Sequence, residues 1–200
     1  MKHVLEMPAL YQCYQELGGF FGARVTAIRD YLEFKPDARV IDIGCGPGYI
    51  VRHLPETIDY VGLDIDAPSI AFARTRFGAR ARFEARYFDA DAARELGPAD
   101  VVMMNGVMHH IGDDDLVATL RHVRSALNPG GVLFTLDGCY APGQGRLEKW
   151  LLDNDRGEHV RRADEYHRLL QAAFPDVAMH VRNKLSRLPY TFAIGVAKAA

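Results

Sequence analysis

Cysteine is scarce: Cys13, Cys45 and Cys139 stand far apart in a chain of 200 residues, with no CxxC pair. An odd, scattered set supports neither a disulfide framework nor a zinc cluster, and a reducing cytoplasm is the expected setting. No stretch reaches the roughly 18 consecutive apolar residues that a membrane-spanning helix needs. The opening MKHVLEMPALYQCYQ lacks a long apolar segment followed by small residues, so no secretory signal is expected. Neither sign of charge dominates, since 24 Lys and Arg against 26 Asp and Glu leave a formal net charge of −2. That balance argues against a general polyanion-binding surface, and no nucleic-acid partner is expected. The basic run of Arg74, Arg76, Arg80, Arg82 and Arg86 is read as a solvated face. There is no internal repeat and no low-complexity tract, and nothing in the sequence fixes an oligomeric state.

What is present is apolar content of 48 %, enough for one sizeable core. Residues Leu10, Tyr14, Leu17, Phe21, Val25, Ile28 and Leu32 recur at helical spacing, interrupted by GGFFG and ending before Pro36. From Arg39 onward strands and helices alternate. Strands are expected at 40–43, 60–65, 81–88, 100–105 and 132–137, with helices at 50–54, 68–77, 113–128 and 161–173 between or after them. Two further strands, in VAMHVRNKL and YTFAIGVAK, are joined by the short link SRLP. Such a link is too short for a parallel crossover, so the last strand should run antiparallel. The expected fold is α/β: a Rossmann-like three-layer sandwich around a mostly parallel sheet. It forms one domain over 1–200, with a helical cap at 1–35, a ligand-binding half at 36–137 and an acceptor-side part at 138–200.

The stretch VIDIGCGPGYI concentrates three glycines, Gly44, Gly46 and Gly48, where the first strand turns toward a helix. Bare main chain there allows a tight turn and lets a ligand lie against the backbone. A dinucleotide fingerprint would need a third glycine at position 49, which is Tyr49, and no Lys-Ser/Thr pair follows as in a P-loop. The loop therefore favours a nucleoside-type ligand over a pyrophosphate. Asp64 ends the second strand, where a carboxylate can accept from both hydroxyls of a ribose. Asp89 and Asp91 compete for an adenine amino group near the end of the third strand, and Asp91, followed by small Ala92, is better placed.

VIDIGCGPG, VGLDID, DAAREL, MMNGVMHHI and LNPGGVL together resemble the class I S-adenosylmethionine-dependent methyltransferases, over about half of the chain. The resemblance implies a seven-stranded sheet with the last strand antiparallel, and S-adenosyl-L-methionine as cofactor with S-adenosyl-L-homocysteine as product. It implies that the loop Gly44, Cys45, Gly46, Gly48 follows the methionine and ribose parts. Asp64 and Ile65 would hold the ribose side, and Asp91 with Ala92 the adenine. Asn105, Gly106 and Val107 would line the sulfonium, and Asp42 would orient the loop or the amino group.

His109 and His110 follow the fourth strand, where an acceptor should approach. An imidazole there can take a proton from a hydroxyl or amine, and His110 is the candidate base. Neighbours in an extended segment point opposite ways, so at most one of the two faces the site. Tyr11, Tyr14, Asp137, Tyr140, Arg156 and His159 are candidate acceptor contacts, with Phe20 and Phe21 as further covering aromatics and Gly18 and Gly19 as a hinge. Asp113, Asp114 and Asp115 are read as helix-start acids rather than metal ligands, and no metal is expected. The resulting expectation is methyl transfer to a small molecule at oxygen or nitrogen, by in-line displacement. Two other classes stay open: a non-catalytic cofactor-binding protein and a nicotinamide oxidoreductase, the latter disfavoured by Tyr49.

Overall fold

The structure is a computed structural model that describes residues 18–155 and 157–199. Tyr11, Tyr14 and Arg156 lie outside the described residues, so their expected roles are not addressed by it. Helix α1 (Phe20–Tyr31) begins at Gly19, whose φ of 76° is left-handed, and stops at the extended Leu32 ahead of Pro36. The interruption expected at GGFFG is thus a helix start.

Strand β1 (Arg39–Ile43) pairs in parallel with β2 (Asp59–Asp64) and β4 (Ala99–Asn105). A 3₁₀ turn, Tyr49–His53, links β1 to β2. Helix α2 (Ala67–Phe77) is capped by Asp66, which accepts from the Ser69 N–H at 3.0 Å, and carries Pro68 in its first turn. Strand β3 (Arg82–Ala85) is shorter than expected, because the chain turns away after Ala85 and Asp89 caps helix α3 (Ala90–Leu96). Helix α4 (Asp113–Ser125) has Asp113, Asp114 and Asp115 in its first turn, where the positive end of the helix favours them.

Strand β5 (Leu127–Tyr140) departs most from expectation. It starts before the PGG sequence rather than after it. Pro129 and Gly130 are exposed, and the pairing with β4 shifts between Ala99 and Val101, so the proline costs no regular ladder bond. At its other end the strand runs past Asp137 to Tyr140. Helix α5 (Arg146–Asp153) was not foreseen; its buried face is Glu148, Leu151 and Leu152, spaced three and one. Residues Arg161–Arg162 form a short strand β6 beside β5, so helix α6 (Ala163–Gln171) begins later than expected. Strands β7 (Asp176–Arg182) and β8 (Phe192–Lys198) finish the chain.

The main sheet order is β3-β2-β1-β4-β5-β8-β7, with β8 antiparallel to both neighbours. The expected seven strands are present, and β6 makes an eighth. Its two residues are too few to show a pattern in sequence. Apolar side chains pack on both faces of the sheet. Ile28, Ile70, Phe134 and Leu152 lie in one layer, and Leu116, Leu120, Tyr166 and Leu170 in the other. The strand order reverses at β1 and β4, where a doubly wound sheet opens a crevice at its carboxyl edge. Gly44, Asp64, Asn105 and Asp137 all stand at that edge. Among the described residues no helix is long and apolar enough to cross a membrane.

Candidate functional site

The main chain after β1 is held tightly. The Gly44 and Cys45 N–H groups both donate to the Leu63 carbonyl, at 2.7 and 3.0 Å. Gly44, Gly46 and Gly48 have φ of 73°, 54° and 74°, a region that L side chains rarely adopt. Their surroundings differ. A side chain on Gly44 would run into Val107, and one on Gly48 would lie 2.7 Å from Phe83, but one on Gly46 meets nothing within 4 Å. Gly44 and Gly48 therefore serve internal packing, while Gly46 faces open space. Gly44→Ala is expected to lower the unfolding free energy by about 1–3 kcal/mol through overpacking and strain. Urea unfolding measures it, and Gly46→Ala, whose φ is also left-handed but which meets no collision, should lose less.

Asp64 grips this loop. Its Oδ2 accepts from the Gly46 N–H and its Oδ1 from the Asp66 N–H, each at 2.8 Å. Each oxygen keeps a further lone pair for a ligand. Ile65, the next residue, is 61 % exposed, an apolar surface that a ligand ring can cover. The Cys45 side chain goes the other way, into the core, where burial pushes its thiol well above the usual range. Its thiol still donates to the Gly46 carbonyl at 3.5 Å, so both side chain and main chain brace the loop from inside.

Behind the loop lies a set of buried polar atoms. Burial raises the Asp42 carboxyl to about 6, even though the Tyr60 hydroxyl, which donates to Oδ2 at 2.6 Å, favours the ionised form. Asp42 Oδ1 has no partner among the described residues. Asn105 lies close enough to Asp42 to favour its charge, yet neither of its amide atoms reaches a partner at bonding geometry. Nε of Arg24, on α1, is also buried without a partner among the described residues, as is Oδ2 of Asp137. Buried polar groups are nearly always bonded, so four such residues at one sheet edge mark a place built for a polar ligand.

The second half of the site centres on His109, at the 3₁₀ turn Met108–His110. Its Nδ1 lies 2.7 Å from Asp137 Oδ1, which also accepts from the His109 main-chain N–H at 3.2 Å. A carboxylate partner assigns the ring proton to Nδ1 and turns Nε2 toward the cavity. Burial alone would lower the imidazole pKa, but the bond to Asp137 and the charges of Asp137 and Asp155 outweigh it, and the net shift is upward. Asp155 Oδ1 stands 3.4 Å from Nε2, and its Oδ2 accepts from the Tyr190 hydroxyl at 2.6 Å.

Gly157, His159 and Arg161 fix this turn. Gly157 packs so closely on the His109 ring that no side chain would fit, and the His159 N–H donates to the His109 carbonyl at 2.9 Å. The buried Arg161 guanidinium donates to the Met108 and Ile111 carbonyls and pairs with Asp113 at 2.7 Å. A cavity of about 80 Å³ lies beside His109, walled by Phe20, Leu136, Tyr190 and Phe192, with Arg24, Asp137 and Asp155 as its charged members.

The crevice thus gathers Asp42, Gly44, Gly46, Asp64, Ile65, Asn105, Gly106, Val107, His109 and Asp137. Others go elsewhere. His110 is exposed and stacks on the His109 ring at 4.2 Å, and the cavity wall does not include it. The segment is a 3₁₀ turn, so the alternation expected of an extended chain does not apply. Tyr140 donates to Asp153 at 2.9 Å and lies off the cavity wall, and the exposed His159 lies beside Gly112. Asp91 is exposed and paired with Arg94, while Asp89 spends an oxygen on the Ala92 N–H at 2.8 Å; Ala92 is fully buried. Arg24, Asp155, Tyr190 and Phe192 were not foreseen. For Arg24 a signal existed: it stands four residues after Phe20 and four before Ile28, on the buried stripe of α1.

A family model described as a methyltransferase domain matches residues 41–133. The chain is 30% identical over 159 residues to a phosphoethanolamine N-methyltransferase of Triticum aestivum, covering 76% of this chain and 31% of that protein. It is 39% identical over 98 residues to an uncharacterized methyltransferase of Mycobacterium tuberculosis, 47% of each chain. It thus spans between 31% and 47% of the length of these curated relatives. In fold it is similar to a TehB-like SAM-dependent methyltransferase from Corynebacterium glutamicum, with a TM-score of 0.67 and 17% identity over 99% of this chain and 98% of that one.

Proposed function

The chain belongs to the class I S-adenosylmethionine-dependent methyltransferase family, and we propose on that premise that it methylates a hydroxyl or amine of a small organic acceptor. One observation carries the proposal: the polar crevice and the His109 cavity meet at Gly106. A Cβ placed there would lie 3.7 Å from His109 Cε1 and 3.8 Å from Arg24 Nη2. A donor in the crevice and an acceptor in the cavity are then separated by little more than bare main chain.

The residues fit an adenosyl amino acid. Asp64 offers its outer lone pairs to a ribose diol, Gly46 leaves room for the chain beside it, and Ile65 with the turn at Asp89–Ala92 receives the adenine. Asp42 and Asn105 face the amino end. S-adenosylmethionine, when bound, supplies an electrophilic sulfonium methyl. Phe20, Leu136, Tyr190 and Phe192 hold the acceptor's apolar body, and holding both partners in reacting geometry alone lowers the barrier by several kcal/mol. His109 takes the acceptor proton on Nε2, displacing Asp155 from that atom, and Asp137 holds the ring and stabilises the imidazolium. The sequence offers both His110 and His109, with His110 as the possible base; the place of His109 on the cavity wall supports giving it that role.

Two opposite pH trends follow from Asp42. Its folded pKa, about 6, exceeds the ordinary value of 3.8 that the unfolded chain keeps, so the folded state binds the extra proton. The ligand-free protein therefore loses stability as pH rises from about 4 to about 6. Affinity for the cofactor should move the other way, increasing as pH rises through about 6, because the ammonium needs the carboxylate. Calorimetric titrations at pH 5 and pH 7.5 separate the two.

The proposal is tested by incubating the protein with methyl-labelled S-adenosylmethionine and fractionated small-molecule extract, followed by mass spectrometry. A labelled product that appears together with S-adenosylhomocysteine is expected. Cofactor binding without any labelled product would overturn the transferase proposal in favour of a binding protein.

A further inference from the structure

The buried Arg161 side chain turns every N–H it has onto one stretch of chain. Nη1 donates to the Met108 carbonyl at 2.8 Å and to the His159 carbonyl at 3.0 Å, and Nη2 donates to the Ile111 carbonyl at 2.6 Å. Nε and Nη2 meet the same oxygen of Asp113, at 2.9 and 2.7 Å. These bonds engage all the donors of a guanidinium, so the buried charge is satisfied without any ligand. His159 extends the hold, since its own N–H donates to the His109 carbonyl at 2.9 Å. The main chain is thus pinned at Met108, His109 and Ile111. Strand β6 pairs Arg161 with Cys139, which stands two residues beyond Asp137 on β5. One strand end therefore carries the acid that bonds the His109 ring and, beside it, the residue that locks the turn.

We infer that Arg161 is a positioning residue of the reaction: it fixes the turn that carries His109, so that the ring points Nε2 into the acceptor cavity. The inference rests on His109 as the base and adds what keeps that base in place. Arg161 lies off the cavity wall, so it acts through His109 rather than on the acceptor. An ammonium is a poor substitute, because a planar fork with fixed donor directions meets two carbonyls and a carboxylate together. The charge has a second consequence. Around the ring stand Asp137 from β5, Asp155 after α5 with the Tyr190 hydroxyl, Arg24 from α1, His110 stacked on it, and Arg161. Burial lowers the His109 pKa, the bond and charge of Asp137 and the charge of Asp155 raise it, and the Arg161 charge lowers it. Arg161 therefore offsets part of the pull of the carboxylates and keeps more of the base neutral.

Arg161→Gln and Arg161→Lys separate geometry from charge. Three measurements on the whole chain are compared. Calorimetry gives S-adenosylhomocysteine affinity, and methyl-labelled S-adenosylmethionine gives the rate of label transfer to the extract fraction. Nuclear magnetic resonance gives the pH titration of the His109 ring, its signals assigned against His109→Ala. Arg161→Gln should leave the affinity unchanged, slow the transfer by about tenfold to a hundredfold and move the ring titration to higher pH. Arg161→Lys should keep the titration near that of the unmutated protein yet recover only part of the rate. Should Arg161→Gln not fold, Asp113→Asn, at an exposed residue, loosens the same guanidinium and should slow transfer several-fold with affinity unchanged. Transfer that survives in Arg161→Gln, or that falls in step with the affinity, would overturn the inference, as would an unmoved titration. A full rate in His109→Ala is a separate result: it removes the base, and the positioning role with it, whatever the ring titration shows.

Discussion

His109→Ala is expected to lower methyl transfer by about 10²–10⁴-fold while leaving S-adenosylhomocysteine affinity unchanged. The split follows from position. The ring contacts Asp137 and Asp155 on the cavity side, while the polar atoms left for the cofactor belong to Asp42, Asn105 and Asp64. His110→Ala, at an exposed residue off the cavity wall, should leave the rate nearly intact. The pH dependence gives a second check. A base must be neutral, so the rate should rise with pH through the raised His109 pKa and level off above it. Asp137→Asn removes the bond and charge that raise this pKa, so the limb should move to lower pH even as the plateau falls. The pair also acts on stability. A raised folded pKa means that the contribution is full below the ordinary value of 6.5 and is lost as pH rises through the folded one. Activity should therefore climb over the window in which this stabilisation disappears. Equal rates for the His109→Ala and unmutated proteins would remove His109 from the chemistry.

Asp64→Ala should weaken S-adenosylmethionine and S-adenosylhomocysteine by about a hundredfold or more, the largest expected effect on binding. Two losses combine. The carboxylate accepts from the Gly46 and Asp66 N–H groups, so removing it frees the loop that the ligand must find in place. It also removes both charged acceptors from the ribose diol, and a hydrogen bond to a charged group is worth about 1.5–3 kcal/mol. Asp64→Asn retains one acceptor oxygen and should fall between. The same comparison with 5′-methylthioadenosine should show the full loss, since that ligand keeps the ribose. Unchanged affinity in Asp64→Ala would mean that the cofactor does not lie in this crevice.

The glycine loop and Asp64 were legible because their chemistry is local. Three glycines at a strand end allow little besides a tight, bare turn, and an acid closing the next parallel strand must come beside it. Strand β4 and helix α4 were legible from an unbroken apolar run and from acids heading an apolar stripe. Strand β5 was read too short, since Pro129 ordinarily ends a ladder and here sits at a register shift on an exposed edge. Helix α5 has only two turns and a buried Glu148, whose carboxylate is satisfied by Thr191 from a distant part of the chain. That Asp89 caps helix α3 through the Ala92 N–H was not legible beside Asp91, since the two acids share the same local pattern.

The amino-acid sequence by itself determined the α/β class, the antiparallel last strand, the loop and its acid, because each depends on residues within a few positions of one another. Which histidine faces the cavity, and the company of Arg24, Asp137, Asp155 and Tyr190 around it, only the tertiary structure decided. Those side chains come from α1, the end of β5, the segment after α5 and the approach to β8, brought together by the crossing order of the sheet. Periodicity reports which face of an element is buried; it carries no information about which other element's polar atom will be waiting there.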